Sequence, residues 1–71
     1  MIDFQRRRTA RDDRIRRAIA ERDRKVAGAL SMHAAATISA EIAMDVIRSA
    51  YAAYEVAEQD AWDDYRAGGA S

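Results

Sequence analysis

The side chains in this 71-residue chain that could do chemistry are one histidine, eleven arginines, one lysine and twelve acidic residues, with no cysteine. A histidine can act as a general base or ligate a metal, but either role needs partners at reach. Around His33 the nearest hydroxyls are Ser31 and Thr37, and no third group is spaced to orient the ring, so His33 reads as a turn or core residue. The carboxylates Glu41 with Asp45, Glu55 with Glu58, and Asp60 with Asp63 and Asp64 stand at helical spacing. Carboxylates on facing helices can hold a metal pair, but that chemistry also uses Glu-x-x-His, which the chain lacks. Most of them fall on one polar strip, the pattern of a solvated helix face. Asp60 and Asp64 fall instead in an apolar arc, where they either pair with arginines of the other half, offsetting the cost of unpaired charge, or form an acidic end that docks a basic partner surface. These residues define no catalytic, cofactor or metal site, and the expectation is a non-enzyme.

The arginines carry the strongest hint. Residues 1–25 hold ten basic and five acidic side chains, and residues 26–71 hold two basic and seven acidic ones, so a net charge of zero hides a split of +5 against −5. Such a split points to an external acidic partner or to pairing of the two halves. Arg6, Arg7, Arg8, Arg11, Arg14 and Arg17 are the candidate contacts to phosphate or to an acidic partner, since guanidinium forks match both groups. Asp12 and Asp13 interrupt the run, and no zinc-finger, RNA-recognition or basic-zipper pattern accompanies it.

The elements that must position these groups are helices. The chain is rich in good helix formers, has no proline and only three glycines. Strand-like alternation is absent. At 100° per residue, Phe4, Ile15, Ile19, Val26 and Leu30 project at about 40, 60, 100, 80 and 120°, one narrow stripe in which Phe4–Ile15–Val26 and Ile19–Leu30 recur every eleven residues. After Ser31 the apolar phase moves, so one straight helix would put the two stripes on different sides. The expectation is all-α: an antiparallel two-helix hairpin that breaks at Gly28–Ser31, with Gly28 ending the first helix and Ser31 capping the second. The first helix is then short, from residue 4 or 10 to 27, and the second long, 32–66. Residues 1–9 form a basic arm or first helix turn, 10–67 the hairpin, and 68–71 a flexible tail.

On those lengths the first helix does not reach Trp62 and Tyr65, and Arg6–Arg8 fall near Tyr54 and Glu55. Ile42, Val46, Ile47, Tyr51, Tyr54, Trp62 and Tyr65 form a stripe wider than one short helix covers. Chains this short struggle to stabilise a core alone. Self-association into a helical bundle, most simply as a dimer, answers both points. The expected role is a protein–protein interaction module acting through that stripe, with the arginine-rich half giving orientation. Its partner is a second copy or another protein. The alternative is a nucleic-acid-binding helical dimer using Arg6–Arg17, of a kind that phages and plasmids also encode. No small-molecule substrate, cofactor or membrane is expected. The stretch Val26–Ile47 is interrupted by His33, Glu41 and Asp45, and with no leader pattern the default location is the cytoplasm.

Overall fold

The computed structural model describes residues 2–70, with side chains described for residues 5–67. Two helices pack against each other along their length: α1 (Ile2–Ala34) and α2 (Ala40–Ala70). No strand occurs among the described residues. The hairpin is long and flat, with Cα extents of 53 × 15 × 7 Å. Neither helix is long and apolar enough to cross a membrane. Met1, Ser71 and the side chain of Phe4 lie outside the described residues.

The turn is not at Gly28–Ser31. Gly28 lies inside α1, with nothing within 4 Å of where a Cβ would sit. A mid-helix glycine costs only about 1 kcal/mol relative to alanine, and the helix runs through it. α1 ends instead at Ala34, where Ala36 takes the left-handed conformation with φ 59°. The Ala36 N–H donates to His33 O at 2.9 Å, and the Thr37 N–H donates to Met32 O at 2.8 Å. This is a Schellman stop, with alanine in the position where glycine is usual. Ser39, not Ser31, caps the second helix: its Oγ accepts from the Ile42 N–H at 3.2 Å. His33, placed in the last turn of α1, donates from Nδ1 to Ile38 O at 3.2 Å and so braces the loop.

Moving the turn makes the helices nearly equal, 33 and 31 residues. α1 therefore covers α2 to its far end, and the expectation that Trp62 and Tyr65 lie beyond its reach is corrected. Residues 2–9 belong to α1, and α2 runs past Gly68 to Ala70. The register differs too: Arg7 comes beside Ala61, Asp64 and Tyr65 rather than Tyr54 and Glu55.

The seam between the helices is built from small residues. The fully buried residues among those described are Ala29, Ala43, Ala50 and Ala61, each 1–4% exposed. On α1 Arg7, Arg11, Ile15, Ala18, Arg22 and Val26, each half-buried, follow spacings of four, four and three. That is an eleven-residue repeat, which nearly matches three turns of a straight helix. Alanine at the contact lets the backbones approach closely, but each buried methyl contributes only about 0.8 kcal/mol. Among the described residues no large side chain is fully buried. The hairpin alone is thus thinly stabilised for its length.

Candidate functional site

Docking of α1 runs through the middle of the apolar arc of α2 and divides it. Two shallow clefts mark one face, with Ala10, Arg14, Glu21 and Lys25 from α1 and Ala53, Ala57 and Asp64 from α2. At 100° per residue the opposite face then carries Ile15, Ile19, Val26 and Leu30 from α1. The same reckoning gives it Met44, Ile47, Tyr51 and Trp62 from α2. Of the residues expected to form a single stripe, Ile47, Tyr51 and Trp62 lie on this second face. Tyr54 and Tyr65 sit half-buried at the seam, and Ile42 and Val46 are exposed on the cleft side. Tyr51 and Trp62 are 46% and 38% exposed, and Leu30 and Met44 are exposed beside them.

Beneath that face are two constellations of the same design. The Arg11 guanidinium lies 4.3 Å from the centroid of the Trp62 ring and 4.5 Å from that of Tyr65. The Arg22 guanidinium lies 5.1 Å from the Tyr51 ring and 4.6 Å from Tyr54. Each arginine also donates two hydrogen bonds to the next residue: Arg11 to Asp12 Oδ1 at 3.0 and 2.8 Å, Arg22 to Asp23 Oδ1 at 3.1 and 3.0 Å. Every member of one set stands eleven residues from its counterpart, as do Ala50 and Ala61 across the seam. A guanidinium over two ring faces satisfies the quadrupole attraction of both. Its stem fills the space that the small alanine leaves. Arg11, with its side chain 13% exposed, is therefore part of the packing rather than a free phosphate contact.

The other candidate arginines divide. Arg14 crosses the hairpin to Asp64 at 2.5 Å, the pairing of acidic and basic halves expected for that carboxylate. Asp60 makes no ion pair among the described residues. Arg17 donates from Nε to Asp13 O at 3.4 Å along its own helix. Arg6, Arg7 and Arg8 form no ion pair among the described residues, and the Arg7 Nε is buried without a partner. Most other charges pair along the surface of one helix, including Asp13 with Arg16, Glu21 with Arg24 and Lys25, Asp45 with Arg48, and Asp63 with Arg66. Hydrogen bonding to Arg24 holds the Glu21 carboxyl below its ordinary range. Bonds from Arg66 and Gln59 do the same for Asp63. Tyr54 is pushed the other way, because its O–H donates to Glu58 Oε2 at 2.5 Å and ionising it would lose that bond beside a negative charge.

Arg22 was not among the arginines that composition singled out. Its signal was the eleven-residue spacing from Arg11, matched on α2 by Tyr51–Trp62 and Tyr54–Tyr65. No group of three or more His, Asp or Glu residues able to hold a metal occurs among the described residues. The fold and this surface define an all-α hairpin with an alanine seam and one aromatic face. No family model matches the chain, and neither a curated protein nor a solved structure does.

Proposed function

We propose that this protein is a small non-enzymatic protein–protein interaction module that self-associates through the face carrying Tyr51, Trp62, Met44 and Leu30. One observation carries the reading: every fully buried residue described is alanine, while the large side chains of this face stay in contact with water. Exposed apolar side chains occur on the cleft side too, at Ile42 and Val46, but among the described residues only this face adds exposed Tyr and Trp, the residues that interaction sites favour. A second layer of helices over this face gives the chain the core that its own seam lacks.

The test is absolute mass by light scattering after size exclusion, at about 0.15 M and about 1 M salt, where screening lengths are about 8 and 3 Å. Assembly to a multiple of 7.9 kDa at both salts supports an apolar interface. In that case Tyr51→Ala with Trp62→Ala should return the chain to monomer. A wild-type chain that is monomeric at both salts would sink self-association.

A second reading rests on Arg6, Arg7 and Arg8, whose charges no carboxylate among the described residues neutralises. These three side chains, at one end of the hairpin, suit a nucleic-acid backbone. Charge reversal at all three should then abolish binding to duplex DNA. Binding that ignores salt would rule the reading out, because phosphate contacts release counterions.

A further inference from the structure

We infer that the occupant of the aromatic face is a second copy of this chain, related by a two-fold axis running along the hairpin, so that α1 of each copy lies on α2 of the other. The inference rests on the self-association proposed above and adds the arrangement. Size supports it first. A face of 53 by 15 Å between Cα extremes covers about 800 Å², the area that each side of a standard stable interface buries. An axis along the hairpin superposes the two faces over their whole length. It also places the apolar residues Ile15, Ile19 and Val26 of one copy against Tyr51 and Trp62 of the other.

Charge supports it second. The outer rim of the face on α1 carries Asp12, Arg16 and Asp23, by the same 100° reckoning. The rim on α2 carries Arg66, Glu55 and Arg48, with Glu41 beyond them toward the loop. A rotation about the long axis leaves each residue at its own level along the hairpin. The antiparallel register is fixed by the pairs Arg11–Trp62 and Arg22–Tyr51. In that register Arg16 comes within about one helical turn of Glu55 of the other copy and Asp23 of Arg48, while Asp12 stands about 7.5 Å along the axis from Arg66. The sequence −, +, − on one rim meets +, −, + on the other, twice by symmetry. Like charges also approach, Arg8 at the level of Arg66 and Asp23 about five residues along from Glu55. With the axis laid across the hairpin instead, α2 lies on α2. Arg48 can then meet Glu55, Glu41 can meet Arg66 and Arg16 can meet Asp23, but Asp23 no longer meets Arg48, and the apolar residues of α1 no longer meet Tyr51 and Trp62.

The chain has no cysteine, so one introduced thiol reports the arrangement cleanly. Thr37→Cys places a spin label in the exposed loop between α1 and α2. With the axis along the hairpin both loops lie at one end, and the label-to-label distance should fall under about 30 Å, a few helix diameters. Distances beyond about 40 Å in a dimer of confirmed mass would overturn the arrangement and leave self-association standing. A monomer at both salts overturns the two together. A charge-swap pair gives an independent reading. Asp23→Arg or Arg48→Glu alone should weaken the dimer about tenfold, and the two in one chain should restore it. Helicity measured in parallel separates lost contact from lost fold. A double variant as weak as the singles, with helicity intact, counts against the proposal.

Discussion

The two arginine–aromatic constellations solve the same packing problem at different places along the hairpin, and their differences follow from distance to the loop. Near the loop, Arg22 lies over two tyrosines, and the helices are already held together by five connecting residues, 35–39. Near the termini nothing covalent joins the helices. There tryptophan replaces one tyrosine, the guanidinium sits closer to the rings, and the Arg14–Asp64 ion pair crosses beside it. The positions corresponding to Arg14 and Asp64 in the loop-side set are Lys25 and Ala53, which cannot form that pair. The comparison teaches that a seam of alanine needs more from its borders where chain connectivity helps least.

The largest expected effect is common to both regions. Ala50→Leu and Ala61→Leu should each cost about 1–3 kcal/mol by forcing the helices apart. Thermal melting followed by helicity measures it, and if one substitution proves harmless the seam is not continuous. The constellations themselves come next. Arg11→Ala should cost about 1–2 kcal/mol, losing two cation–ring contacts. Arg22→Ala should lower the melting midpoint less, and the reverse order would break the comparison. The loop gives a third effect of opposite sign. Ala36→Gly removes a left-handed alanine and should stabilise by about 1 kcal/mol, read as a rise in urea midpoint. Smaller again is Ala53→Asp, which supplies Lys25 with the cross-helix partner that Arg14 already has. It should add at most about 0.5 kcal/mol, and more at low salt than at high.

The smallest effect is with pH. Tyr54 has its proton held more tightly in the fold, by the bond to Glu58 and by burial. Its contribution is therefore complete below the ordinary tyrosine value of 10.0 and is lost as pH rises through the higher folded-state value. Glu21 and Asp63 are lowered, so their contributions hold above the ordinary carboxylate range and fade as pH falls through their folded values. Alkaline titration should thus loosen the loop-side constellation, and Tyr54→Phe should remove that alkaline step.

Much of this was legible in the residues. The helix formers, the absence of proline and the phase change after Ser31 favour two helices over one. The split of charge anticipates Arg14–Asp64. The eleven-residue recurrence, read first in Ile15–Val26 and Ile19–Leu30, extends to Arg11–Arg22 and to the aromatic pairs. The turn was not legible, because local preference favours glycine for a helix stop and the chain stops at Ala36. A stop at Gly28 would satisfy that preference but would leave Trp62 and Tyr65 beyond the first helix. The stop at Ala36 accepts about 1–2 kcal/mol of left-handed strain and gains a full-length seam.

The sequence by itself determined helix, the hairpin, the opposed charges and the surplus of apolar side chains over what two helices can hide. Those follow from propensity, periodicity and composition, which are local or additive. The tertiary structure decided where the chain turns and in what register the helices meet. It decided that arginine fills the seam beside alanine, and that the stripe on α2 is divided between two faces. These outcomes depend on which partner stands opposite each residue, and close packing across the seam fixes that only when both helices are in place.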